Sequence, residues 1–314
     1  ALFVAGSVLG ALAETTGVLL AARPLEGAGA GSAFALSRAI IRDTASRDEA
    51  ASMIASVTMV MVVAPMLAPY LGGHIETRFG WRMIFWFMTA AGVVVLVLTV
   101  LRLPETAPRI GVGTSFLGIF RAFPALIVDR GFVVNVVALS MTSGAFFAFI
   151  AAAPYIVVET MGRGPDVYGA YFILNALGYM VGNFAMSRLA VKLGTARLVR
   201  TGLAISFVAM SGATALSLTP YWTPLTLFLP LAINAIGNGL TIPGSTAESL
   251  SAKPELAGSA AGLMGAIQLG SGALATILAS WAVTLWPQAL VLMMWLMMGA
   301  GLLAVSRAPS GSGR

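Results

Sequence analysis

Residues 82–102 read RMIFWFMTAAGVVVLVLTVLR, nineteen uncharged residues held between two arginines. At a rise of about 1.5 Å per residue, such a run as a helix matches the roughly 30 Å hydrocarbon core of a bilayer. It is continuously apolar rather than alternating, which excludes a strand of a β-barrel. Comparable runs lie near residues 1–13, 17–40, 50–74, 131–158, 167–190, 198–218, 224–247, 256–283 and 288–306, ten in all, the first too short to cross. The fold class expected is therefore an all-α polytopic membrane protein. The whole chain agrees, being 58% hydrophobic and 10% charged, with a mean hydropathy of +0.92. No soluble domain has that balance.

Charge sets the orientation. Fourteen of the eighteen Lys and Arg residues fall in every second connection or beyond the last run, from Arg38, Arg42 and Arg47 to Arg307 and Arg314. Arg78, Arg82 and Arg163 lie at the other ends, and Arg23 lies inside a run. The positive-inside rule puts the arginine-rich connections, and with them the C-terminus, in the cytoplasm. The formal net charge of +6 then reflects topology, and no nucleic-acid partner is expected.

The chain opens with Ala1 inside an incomplete run, without a charged leader and cleavage site. A shift of 210 residues lays Gly27 on Gly237, Gly29 on Gly239, and Ala50-Ala51 on Ala260-Ala261. Such a parallel repeat fits two halves related by an axis along the membrane normal. Residues 131 to about 198 have no partner in the first half. The expectation is a 6+6 architecture with ten of twelve spans present and roughly 80 residues preceding Ala1. Four segments follow: an N-terminal bundle at 1–102, a Pro- and Arg-containing cytoplasmic linker at 103–130, a six-helix bundle at 131–307 and a tail at 308–314. Cysteine is absent, so there is no disulfide or thiolate site.

Several motifs carry a resemblance. Arg23-Pro-Leu-Glu26-Gly27-Ala-Gly29-Ala-Gly31 resembles the Arg-x-x-Gln-Gly motif of the fourth helix of the major facilitator superfamily, with Glu26 where Gln is usual. Ala64-Pro65-Met-Leu-Ala-Pro69-Tyr-Leu-Gly72-Gly73 resembles its fifth-helix antiporter motif. Ser37-Arg38-Ala-Ile-Ile-Arg42-Asp43, Gly80-Trp81-Arg82-Met-Ile-Phe85-Trp86, Leu103-Pro104-Glu105-Thr106 and Ala257-Gly258-Ser-Ala-Ala-Gly262 are similar to the Bcr/CflA drug-resistance branch. The resemblance implies a multi-pass protein of the bacterial inner membrane, exchanging protons for drugs or other small amphipathic molecules by alternating access. A monomer without cofactors is expected. A metabolite exporter, for a sugar, nucleoside or amino acid, and a non-transporting truncated remnant remain alternatives. An enzyme is not expected, because Gly-x-Ser-x-Gly, His-Glu-x-x-His and a phosphate-binding Gly-x-x-x-x-Gly-Lys loop are all missing.

The candidate coupling pair is Arg23 and Glu26, since intramembrane ions are costly and i, i+3 spacing lets them pair. Either Glu26 exchanges a proton or the two form a permanent ion pair. Pro65 and Pro69 remove helix hydrogen bonds, and Gly72 and Gly73 would let a neighbouring helix come close, together a hinge and seal. A mostly apolar substrate cavity with a few amides would draw on Met141, Phe146, Phe147, Tyr155, Tyr171, Asn175, Asn234, Asn238 and Gln268. Arg38, Arg42 and Asp43 form a candidate cytoplasmic gate. His74 lacks carboxylate or thiolate companions, so no metal site is expected.

Overall fold

The computed structural model describes residues 1–44, 68–103 and 123–307. Two compact units divide the chain, Ala1–Gly113 and Thr114–Arg314. Every regular element among the described residues is helical.

In the first unit, α1 (Leu2–Ala11) packs against both α2 (Thr16–Thr44) and α4 (Arg82–Arg102), and α3 covers residues 68–79. Close approach is made by glycines. A Cβ on Gly10 of α1 would run into the Phe85 ring of α4, and one on Gly29 of α2 would strike the Phe3 backbone. Without a hydrophobic drive between helices in lipid, such contacts carry the packing through van der Waals attraction. Arg82 lies with its guanidinium 4.5 Å from the Trp81 ring centroid. It also donates to the Ala13 carbonyl at 2.9 Å, tying α4 to the α1–α2 connection.

The second unit runs α5 (Phe123–Ile127), α6 (Arg130–Tyr155), α7 (Pro165–Leu193), α8 (Thr195–Ser217), α9 (Pro224–Ser251), α10 (Ala257–Leu285) and α11 (Ala289–Ser306). A π-helical turn at Ile156–Thr160 extends α6 just after Pro154. Only Gly194 separates α7 from α8, and its φ of +82° suits a residue without a Cβ. α9 lies against α8, α7 and α6, while α6 also carries α10 and α11. Cβ atoms at Gly178 and Gly182 of α7 would collide with the carbonyl oxygens of Ala232 and Ile236, so α7 and α9 meet backbone to backbone.

Six helices among the described residues are long and apolar enough to cross a membrane, at Arg82–Arg102, Arg130–Thr160, Thr195–Ser217, Pro224–Ser251, Ser259–Leu285 and Ala289–Ser306. α2 and α7 have the length, 29 residues each, but dilute it with ionisable and amide side chains. α1 has ten residues. The span expected at 50–74 lies mostly outside the described residues.

The glycine correspondence of the 210-residue shift does not extend to packing. Gly237 is pressed against Ser206 and Gly202, whereas a Cβ at Gly27 would meet nothing within 4 Å. Gly29 abuts α1, while Gly239 abuts Tyr179 and Asn183 of α7. Small residues match by chance where span boundaries do not.

Candidate functional site

Arg23 and Glu26 sit one turn apart on α2, and Arg23 Nη1 donates to Glu26 Oε2 at 2.9 Å. The other carboxylate oxygen, Oε1, accepts from Ser7 Oγ of α1 at 3.0 Å. Glu26 is 5% exposed and Ser7 is fully buried, while the Arg23 side chain is 54% exposed. The guanidinium lies 4.7 Å from the centroid of the Phe85 ring on α4. Three helices thus converge on one acid. Gly6 makes room for it, since a Cβ there would lie 2.8 Å from Glu26 Cγ. A buried charge keeps its place only when paired and hydrogen-bonded, and here each oxygen has its own donor.

Ser7 had no signal in the sequence, being one hydroxyl in an apolar run. Its partnership depends on how α1 rotates against α2, which Gly6 and Gly29 decide.

Pro65 lies outside the described residues. Pro69 and Gly72 fall on α3, where a Cβ at Gly72 would meet nothing within 4 Å. Among the described residues none comes close enough to Gly72 to use the space its missing side chain leaves. Gly73 is buried. His74 Nδ1 lies 3.0 Å from the Tyr70 carbonyl, and its ring is 4.4 Å from that of Tyr70. Arg38, Arg42 and Asp43 lie in the last two turns of α2, and their side chains are outside the described set.

The nine candidate cavity residues make contacts with several different elements of the second unit. Gln268 Nε2 of α10 donates to Ser143 Oγ of α6 at 2.8 Å, and Phe147 covers Gly272 on α10. Phe146 packs against the main apolar cluster, and Tyr171 lies 5.6 Å from Phe228 in the same cluster. Met141 turns toward Gly301 of α11. Tyr155 is 39% exposed at the end of α6. Asn175, Asn234 and Asn238 are buried. The spread follows from helical periodicity: successive residues diverge by about 100°, so neighbours in sequence such as Phe146 and Phe147 leave in different directions.

Among the described residues no group of His, Asp and Glu has metal-binding geometry.

The profile of the Major Facilitator Superfamily matches residues 1–276. The chain belongs to that superfamily. It is a multi-pass membrane transporter of small molecules and not an enzyme. It is 28% identical over 288 residues to a bicyclomycin resistance protein homolog of Haemophilus influenzae, covering 86% of this chain and 69% of the relative. It is 32% identical over 176 residues to the multidrug resistance protein MdtL of Escherichia coli, covering 56% and 44% respectively. A solved bacterial homolog of the human lysosomal transporter Spinster, inward-facing and unoccupied, superposes with a TM-score of 0.71 at 16% identity. That match covers 97% of this chain and 81% of the other, and the shared fold is the major facilitator fold.

Proposed function

We propose that this superfamily member exports small amphipathic compounds, antibiotics included, in exchange for protons across a bacterial inner membrane. The relatives named for bicyclomycin and multidrug resistance support the substrate class. The observation that carries the coupling is the buried Glu26 carboxylate, shared between Ser7 and the half-exposed Arg23. In the proposed cycle Arg23 leaves Oε2 when a proton arrives and returns when it departs. Such a swing makes transport depend on a differential interaction with two states, as coupling requires. The substrate would be held by amides and aromatics of the C-terminal bundle at 131–307. The N-terminal bundle at 1–102 would supply the proton site, with 103–130 as cytoplasmic linker and 308–314 as cytoplasmic tail. The transporter would work as a monomer, with Arg38, Arg42 and Asp43 at the cytoplasmic gate.

The test is efflux in everted vesicles containing the full-length protein, with an antibiotic panel that includes bicyclomycin and a fluorescent pH reporter. Drug addition should release protons, and collapsing the gradient should stop accumulation. Glu26→Gln should abolish drug-driven proton movement while leaving insertion intact. Pumping that ignores a collapsed gradient would overturn the antiport reading. Full coupling in Glu26→Gln would remove Glu26 from it.

A further inference from the structure

Phe85 of α4 is buried, yet one face of its ring is taken by a charge: the Arg23 guanidinium stands 4.7 Å from the centroid. That is well inside the reach of a cation–π contact, about 6 Å. Arg23 therefore has two partners at once, the Glu26 carboxylate on its own helix and an aromatic face on another.

The two partners are not equivalent. Phe85 is fixed from two sides. Its ring fills the space that Gly10 of α1 leaves, where an added Cβ would overlap it. On its own helix the Trp81 ring meets it nearly at right angles, with centroids 5.9 Å apart. Trp81 in turn carries the Arg82 guanidinium at 4.5 Å, and Arg82 donates to the Ala13 carbonyl just beyond α1. The Glu26 carboxylate attracts Arg23 only while it is ionised. The negative face of the ring is there in both states.

When a proton neutralises Glu26, Arg23 keeps its own charge, which an apolar bundle tolerates poorly. Among the described residues, the helices packed at this point offer it no second anion. Residues 2–11 of α1 and 83–101 of α4 include no ionisable side chain, and residues 16–37 of α2 hold only Arg23 and Glu26. Glu14 is exposed and precedes α2, whose first residue lies about 10 Å along the axis from Arg23. The Phe85 face is what remains. A guanidinium paired with a carboxylate shows the ring little net charge, whereas a freed one shows it all. The contact therefore strengthens as the ion pair is lost.

We propose that Phe85 is a positioning residue: its ring holds Arg23 beside Glu26 while that carboxyl is protonated, so the ion pair re-forms in place once the proton departs. The proposal rests on the reading of Glu26 as the proton site, and Phe85 acts only through Arg23.

The spectroscopic test needs no transport. Full-length protein carrying isotope-labelled arginine is studied by NMR in detergent micelles, with Arg23→Lys identifying the Arg23 Nε–H signal. Stacking on a ring moves that signal upfield. The upfield shift should persist in Glu26→Gln, a neutral substitute for the protonated acid, and vanish in Phe85→Leu. A shift that disappears in Glu26→Gln, or survives in Phe85→Leu, would overturn the proposal. Should Phe85→Leu fail to fold, a trifluorinated phenylalanine at position 85 replaces it, because fluorine weakens the negative face at nearly constant ring size. That fluorinated protein should move protons on drug addition roughly threefold more slowly than the parent, at an unchanged unfolding midpoint. An unchanged rate would also overturn the positioning role. Full coupling in Glu26→Gln would remove the proton site itself, and this proposal with it, even with the arginine signal in place. A lost signal with coupling abolished in Glu26→Gln would remove this proposal alone.

Discussion

Ser7 on α1 and Glu26 on α2 are joined by a 3.0 Å hydrogen bond, a polar link between two helices that also meet at glycines. Removing the hydroxyl leaves Oε1 of a buried carboxylate without its donor. Hydrogen bonds to charged groups contribute about 1.5–3 kcal/mol. Ser7→Ala should therefore lower the thermal unfolding midpoint, while Ser7→Thr, which keeps the donor, should restore most of it. A Ser7→Ala protein as stable as the parent would show that the bond contributes nothing to the fold.

Gly182 is a second pressure point. Its missing side chain lets α7 rest on the Ile236 carbonyl of α9, which has no rotamer with which to yield. Gly182→Leu should separate the two helices and abolish recovery of monodisperse protein from detergent. Gly262→Leu, at a glycine whose added Cβ would meet nothing within 4 Å, should be recovered at parental yield. Equal yields for both would contradict the backbone contact.

Phe228 sits among Phe149, Tyr168 and Tyr171 with centroids 5.6–5.9 Å apart. In a soluble core, Phe→Ala costs about 3–5 kcal/mol, part of it transfer from water and part the cavity left behind. Lipid is as apolar as the bundle interior, so the cavity and lost contact terms dominate here. Phe228→Ala should destabilise by less than a soluble core would, and Phe228→Leu less again. Reversible denaturation in mixed micelles measures both.

Arg130 opens α6 and donates to the Arg307 carbonyl at 2.7 Å, where α11 ends. Arg130→Ala should fray the last turn of α11, seen as faster amide exchange over residues 303–307. The N-cap bond from Phe132 N–H to Asp129 at 2.8 Å should keep the start of α6 protected. Unchanged exchange at 303–307 would show that this cap is dispensable.

Much of the fold was legible in the sequence because membrane helices are written in bulk terms. Length, continuous apolarity and charged ends placed the run at 224–247 close to α9 at Pro224–Ser251, and 288–306 close to α11 at Ala289–Ser306. Arg23 and Glu26 were legible as a pair because i, i+3 spacing is local. What the sequence left dark depends on rotation between helices. Nothing local marks Ser7 as the partner of Glu26, or Met141 as facing α11 while Gln268 reaches Ser143. Gly72 shows the same limit, since a small residue permits close approach without naming a neighbour, and no described residue fills that space. On α9, Asn234 and Asn238 stood out as amides, but nothing local marked Thr241, Ser245 and Ser249 as buried hydroxyls.

The Arg130–Arg307 contact fastens the start of α6 to the end of α11, so the run of long helices in the second unit is a loop clasped by itself. Such a piece carries its own closure wherever it is placed in a polypeptide. Cutting the chain between residues 103 and 122 and expressing the halves from separate messages should still yield a correctly clasped second half, and grafting that half behind a foreign leader should do the same.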